Sequence, residues 1–162
     1  MMFEIRNATM NDFKRLCELE NIAFPPEKAA SDKSIKERIE LTNDTFFVAC
    51  IEDKIIGFIN GIVIDQEYIS DDLFEEVFEN RKEGGIQSVL SLGVEPEYQR
   101  QGIAAALLKE LAKEAKSKKR TTITLTCLEN LIHYYERQGY KNMGLAQSQH
   151  GGATWYNMNM NL

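Results

Sequence analysis

The chain has 162 residues, 43% of them apolar, and a formal net charge of −6 at pH 7. That size and apolar fraction suit one globular domain spanning residues 1–162, and the acidic balance excludes a general nucleic-acid binder, which needs a basic face to neutralise phosphates. There is neither a signal-type apolar core nor an apolar run near the ~20 residues of a membrane span, so the expected localisation is cytoplasmic.

Three cysteines, Cys17, Cys50 and Cys127, are widely spaced among apolar neighbours. They read as reduced, packed thiols, with no disulfide framework and no metal site. In chain order, FEIRNAT alternates like a strand, and Thr9 or Asn11 caps a helix whose spacing (Phe13, Leu16, Leu19, Glu20, Ala23) runs up to the rigid turn Phe24-Pro25-Pro26-Glu27. Ser31 caps a second helix, SDKSIKERIEL; TFFVACIE and KIIGFINGIVI form a hairpin turning at Asp53, the second strand long. Between Asp65 and Glu83 lies an insertion with eight acidic residues, in which Leu73, Phe74, Val77 and Phe78 have helical spacing. The nearly continuous apolar IQSVLSLGV reads as a buried central strand.

After VEPEYQRQG comes a helix with its core face at Ile103, Leu107, Leu111 and Ala115, closed by the basic run Lys116 to Arg120, where cations suit the dipole. TTITLTCL is a second central strand and ENLIHYYERQGY a short helix; YKNMGLA and ATWYNMNMNL end the chain as two strands, joined through His150-Gly151-Gly152. A strand that hands over to a helix through one glycine leaves several unpaired N–H groups in one small volume, where the helix dipole helps them hold a phosphate. Gly102 lacks the Cβ that would keep a pyrophosphate off the backbone, Ala104 is small enough for the same approach, and Gln99 and Arg100 add donors. A simple packing turn reads the same way locally. The other common phosphate signatures, G-x-x-x-x-G-K-[ST] and G-x-G-x-x-G, do not occur.

The element order, with Gln99-Arg100-Gln101-Gly102-Ile103-Ala104 matching Q/R-x-x-G-x-G/A, resembles the GNAT superfamily of acetyl-CoA-dependent N-acetyltransferases over essentially the whole chain. Within it the chain looks most like the arylalkylamine (serotonin-type) group, through AFPPE after the first helix, the acidic insertion, Thr126-Cys127, Tyr134 to Tyr140, and the late H-G-G with W-Y. The resemblance implies an α/β (α+β) fold: a mixed, mostly antiparallel sheet of about seven strands, flanked by helices and splayed between its two central parallel strands. It implies acetyl-CoA as cosubstrate and no metal. Leu92 and Val94 would offer backbone groups to the pantetheine arm, with Gly93 the site of a bulge that helps the strands part; Gln99, Arg100, Gln101, Gly102, Ile103 and Ala104 would hold the pyrophosphate; Asn130 would bind pantetheine; and Tyr135 would sit by the thioester sulfur.

Acetyl transfer to an amine needs a neutral nucleophile, a donor for the developing oxyanion and a proton for the thiolate. A backbone N–H near Leu92 would serve the oxyanion, and Tyr135 is the candidate acid, although Tyr134, Tyr135 and Tyr140 also read as packing residues. The His-x-His pair that the animal arylalkylamine enzymes carry on the central strand is replaced here by Ser88 and Leu90. Ser88 is the alternative catalytic candidate, anchoring a water wire with Glu27 at its outer end, while His133 and His150 are the only imidazoles. Phe24, Pro25 and Glu27, with Phe74 or Phe78, would wall the amine site, and the acidic insertion either favours a cationic amine or is a solvated helix face. The expected acceptor is a small primary amine; protein, peptide or polyamine acetylation, a CoA-binding sensor and a purely structural interaction domain remain open, as does a homodimer paired through the last strands.

Overall fold

The computed structural model describes residues 2–147 and 150–162. Strand β1 (Glu4–Asn7) leads into a short turn of 3-10 helix, where the Asp12 carboxylate accepts the Thr9 backbone N–H at 2.8 Å and two hydrogen bonds from Arg6. Helix α1 (Phe13–Ala23) follows and stops because Phe24, extended at φ −130°, ψ 144°, precedes Pro25. Helix α2 (Asp32–Thr42) starts at Ser31, whose hydroxyl accepts the Ser34 N–H at 3.1 Å, as the sequence leads one to expect. The remaining elements are β2 (Phe46–Ile51), β3 (Lys54–Asn60), β4 (Val63–Ile64), β5 (Ile86–Ser88), β6 (Ser91–Val94), α3 (Ile103–Ser117), β7 (Thr122–Cys127), α4 (Ile132–Arg137), β8 (Lys141–Leu145) and β9 (Tyr156–Asn161).

The strands form two hydrogen-bonded sets, β1-β2-β3-β6 and β4-β5-β7-β9-β8. Every pairing is antiparallel except β5 with β7. Helices α1 and α2 cover one face through Leu16, Leu19, Ile35 and Ile39, packed on Phe46, Val48 and Phe58. Helix α3 covers the other face with the stripe Ile103, Leu107, Leu111 and Ala115, packed on Phe47, Ala49, Ile56 and Ile59. Each of its larger buried aliphatic side chains contributes about 1.5–3 kcal/mol, which holds the start of α3 against the sheet. Among the described residues, no helix is long and apolar enough to cross a membrane.

Two expectations fail in instructive ways. The insertion holds only a short 3-10 segment, Asp71–Phe74, where a longer helix was expected. An α-helix there would set Asp71 against Glu75, Asp72 against Glu76 and Glu75 against Glu79 at the i,i+4 spacing, where like charges repel. Leu73 and Val77 still reach a small core with Ile62, Ile64 and Ile69, but Phe78 is 64% exposed.

The apolar run IQSVLSLGV is not one strand. It breaks between β5 and β6: Val89 N–H turns to the Thr124 carbonyl on β7, while Leu90 N–H turns to the Asn60 carbonyl on β3. Ser91 is also the residue paired with Asn60, so Leu90 and Ser91 together oppose one residue, a bulge. The bulge therefore lies at Leu90–Ser91, whereas sequence reasoning put it at Gly93, whose pairing with Phe58 is regular. Gly93 is glycine because α1 crosses it: an added Cβ would stand 2.9 Å from both Ala23 Cβ and Phe58 Cε1.

Candidate active site

The bulge opens the sheet. β5 pairs with β7 over Ile86–Ser88 and Thr122–Thr124, but beyond it β6 pairs only with β3 among the described residues. Glu95 N–H bonds the Ile56 carbonyl, and alternation along an antiparallel pair then directs the N–H and C=O of Leu92 and Val94 away from β3, into the gap. The Val94 carbonyl accepts the Gln99 side-chain amide at 3.2 Å, which ties the loop after β6 to the strand.

At the lower end of the gap, α3 begins. Arg100 (φ 64°) and Gly102 (φ 82°, ψ 6°) both lie in the left-handed region, and the first intrahelical bond is Ala106 N–H to Gly102 C=O at 3.0 Å. The amides of Ile103, Ala104 and Ala105 precede it and are the orphan donors of the helix start. A Cβ built on Gly102 meets nothing within 4 Å, so open space stands over these amides, and Gln99, Arg100 and Gln101 around it are exposed. Unpaired amides at a helix start with open space beside them can hold an anion such as a phosphate.

Above the gap is a cavity of about 690 Å³. One wall is the bulge and the ends of the parted strands, Leu90 to Leu92 and Leu125 to Leu128, with Tyr135 behind them. Facing it are the end of α1 and the proline turn, including Glu20, Phe24, Pro25 and Glu27; α2 adds Ser34 and Arg38, and the insertion adds Asp71, Phe74 and Glu75. Trp155 also lines it, with the Lys28 ammonium 5.6 Å from its ring centre.

Of the residues singled out from sequence, Leu92, Phe24, Pro25, Glu27 and Tyr135 meet in this cavity, as does Phe74. Asn130 does not line it; it is exposed in the 3-10 turn Glu129–Leu131, between the lining residues Leu128 and Leu131. Ser88 does not reach it. That residue is fully buried, its hydroxyl donating to the Ile62 carbonyl at 2.7 Å and accepting the Ile62 N–H at 3.0 Å, which makes it a brace between β5 and the chain before β4. His133 faces solvent beside Glu136, with Nδ1 3.1 Å from the carboxylate. His150 opens the turn His150–Gly152, and its side chain lies outside the described part of the structure. Phe78 lies outside the cavity.

Tyr135 is buried between Tyr134 and Tyr140, whose rings meet it edge-on at 5.2 and 5.8 Å. Burial above all, then the charges of Cys127 and the two tyrosines, raises its pKa beyond that of an ordinary phenol, so it stays protonated. Burial likewise pushes the Cys127 thiol up to about 11, which makes it an inert wall residue.

Two buried charged residues of the cavity wall, Glu20 and Arg38, were not assigned a role from sequence. Glu20 is 2% exposed; its Oε1 accepts the Ser91 hydroxyl at 2.9 Å and its Oε2 the Ala30 N–H at 3.0 Å. Arg38 is 1% exposed and donates to Asn60 Oδ1 at 3.2 Å and to the Phe74 carbonyl at 3.0 Å. Burial pulls its pKa down to about 10, with the charge of Glu20 working against that fall. One signal was present: Glu20 stands on the apolar stripe of α1, where a carboxylate must find partners.

Comparison with known proteins adds a family. The model of the acetyltransferase (GNAT) family matches residues 13–140. No curated protein matches the sequence. Among solved structures, the loading GNATL domain of CurA from Lyngbya majuscula is similar at 16% identity and a TM-score of 0.82, over 99% of this chain and 98% of that one. Arabidopsis thaliana Naa50, in complex with the bisubstrate analogue CoA-Ac-MVNAL, matches at 17% identity and a TM-score of 0.78, over 100% of both chains. The ribosomal-protein-S18-alanine N-acetyltransferase from Escherichia coli matches at 18% identity and a TM-score of 0.74, over 99% and 94%. At these identities the likeness is one of fold.

Proposed function

This chain belongs to the acetyltransferase (GNAT) family, and from that premise we propose that it transfers the acetyl group of acetyl-CoA to a small primary amine, by direct attack in a ternary complex. The observation that carries the reading is the continuity of cradle, gap and cavity: the orphan amides at the start of α3, the backbone groups of Val94 and Leu92 turned from β3 into the gap, and the cavity at the bulge follow one another along β6. The pyrophosphate lies on the amides of Gln99 to Ala104, and the pantetheine arm runs beside Val94 and Leu92 with Asn130 on its far side. The thioester ends where β6 and β7 part. Leu92 N–H meets the developing oxyanion, and Tyr135, kept neutral by its surroundings, gives or orients the proton for the leaving sulfur.

The amine enters between Phe24, Pro25 and the insertion, where Glu27, Asp71 and Glu75 give the cavity wall an acidic side suited to a cation. An arylalkylamine fits this mixture of apolar and acidic wall. Peptide or protein α-amines are the second reading, supported by the peptide and protein substrates named for the Arabidopsis and Escherichia coli structures. Exposed Met143 and Leu145 on the edge strand β8 support self-association as a homodimer through that edge.

The test is thiol release from acetyl-CoA with a panel of arylalkylamines, polyamines, amino acids and short peptides. Turnover confined to small amines upholds the proposal, and preference for peptides favours the second reading. Tight acetyl-CoA binding without turnover of any amine overturns both and leaves a sensor of acetyl-CoA.

A further inference from the structure

Of the residues carried over from sequence, Glu27 on the proline turn is the one carboxylate that lines the cavity. A primary alkylamine has a pKa near that of lysine, about 10, so at neutral pH only about one molecule in a thousand is the free nucleophile. Ser88, the sequence candidate for a water wire, has its hydroxyl committed to Ile62. The cavity wall holds a second carboxylate, and this one is bonded to β6. Glu20 comes from α1, a different element from the strand on which the base was sought, and it reaches β6 at Ser91, the residue immediately before Leu92. Both Glu20 and Ser91 line the cavity.

The direction of that hydrogen bond matters. Ser91 gives its only hydroxyl proton to Glu20 Oε1, so its oxygen lone pairs are left for a donor arriving from the cavity. The Ala30 amide on Oε2 pins the carboxylate, and the bulge fixes Ser91 against Asn60. The pair is therefore held by α1, the proline turn and β6 together, one residue from the N–H assigned to the oxyanion. Other charged groups on the cavity wall are Arg38, Lys28, Glu27, Asp71 and Glu75, with Tyr135 across the gap.

We infer that Glu20, through the Ser91 hydroxyl, receives the acceptor ammonium and takes its proton. The inference deepens the acetyl-transfer reading above and rests on it. The ammonium donates to Ser91 Oγ as Ser91 passes its own proton to Glu20. The neutral nitrogen then attacks the thioester carbonyl, a C–N bond forms, and the C–S bond breaks with its electron pair leaving on sulfur. The second nitrogen proton compensates for the proton that sulfur takes from the Tyr135 side. The products are the amide, the thiol and one proton, which Glu20 returns to solvent.

The experiment compares wild type with Glu20→Gln and Ser91→Ala, using the best amine of the panel and its β,β-difluorinated analogue, which is nearly the same size but far less basic. For the parent amine, both variants should lose about 10²- to 10⁴-fold in kcat, the range for a lost general base. For the fluorinated amine, already largely neutral, the same variants should lose no more than a few-fold. Acetyl-CoA should raise the melting temperature of each variant as it does that of wild type, which shows that the donor site is folded. Equal losses with the two amines, or no loss with either, overturn the assignment while wild-type turnover keeps the acetyltransferase reading intact. Loss of the acetyl-CoA shift in both variants also overturns it, because the pair would then be structural. Absence of wild-type turnover with every amine removes the acetyl-transfer reading and this one with it.

Discussion

Replacing Gly102 by alanine separates two reasons for a glycine at the start of α3. The first is conformational: at φ 82° any side chain sits in the left-handed region, which costs roughly 1–2 kcal/mol. For a chain of this length that is a melting-temperature drop of about 2–8 °C. The second is the ligand. The added Cβ meets no protein atom within 4 Å, so it stands in the open space where the pyrophosphate is proposed to lie. Each charge-assisted bond from an orphan amide is worth about 1.5–3 kcal/mol, and losing even one weakens acetyl-CoA about 10- to 150-fold. Gly144→Ala is the control, because that residue also has positive φ (98°) and open space but lies on β8, away from the cradle. Calorimetric titration of acetyl-CoA with both variants, alongside thermal melts, reads the two effects independently. The two should lose similar stability, and only Gly102→Ala should lose affinity. If Gly102→Ala melts lower but binds acetyl-CoA as well as Gly144→Ala does, the glycine serves the turn alone and the cradle argument fails.

Tyr135→Phe keeps the edge-on packing with Tyr134 and Tyr140 but removes the hydroxyl, so kcat should fall about 10²-fold or more with little change in melting temperature or acetyl-CoA affinity; steady-state kinetics with an active amine check it. Ser88→Ala strips the buried Ile62 N–H of the hydroxyl it donates to and should cost about 1–3 kcal/mol by urea denaturation, with kcat unchanged. A large kcat loss there would restore the water-wire role. Stability should also fall in alkali. Cys127, Tyr135 and Tyr140 all have folded pKa values raised by burial, so their contribution is intact below the unfolded pKa and is lost as pH rises: from about 9 to 11 for the thiol, and above about 10 for the phenols. Thermal melts from neutral pH upward should be flat and then decline across that window, and Cys127→Ala should make the decline between about pH 9 and 11 shallower without removing it, because burial also raises the thiols of Cys17 and Cys50.

What could be read from sequence divides along a physical line. The turn before α3 is local: Val94, the loop and Gly102 to Ala104 are contiguous, so a strand handing over to a helix through a glycine could be read directly, whereas its use as a phosphate cradle rested on the order of the elements around it. The order of elements and the α3 stripe were likewise legible, since periodicity follows from which face is buried. The extent of a strand was not. IQSVLSLGV has the composition of one continuous strand, yet its pairing partner changes at Val89–Leu90, and that depends on where Asn60 and Thr124 arrive from distant parts of the chain. The insertion failed for a different reason, because apolar spacing outvoted like-charge repulsion in the reading but not in the fold.

The acceptor side was illegible because it is assembled rather than contiguous. Glu20, Arg38, Phe74 and Ser91 come from four elements and share a wall only after α1 and α2 have packed on the sheet and the bulge has turned Ser91 toward α1. A buried carboxylate and a buried guanidinium each cost several kcal/mol to desolvate. Glu20 is bonded by Ser91 and Ala30, and Arg38 by Asn60 and Phe74, which offsets part of that cost and holds both groups at the cavity wall. Packing alone would have filled the same stripe with leucine at lower cost. A carboxylate at position 20, one hydroxyl away from the β6 backbone, ties α1 to the proline turn and β6 and is the group of this wall that the proposed proton transfer uses.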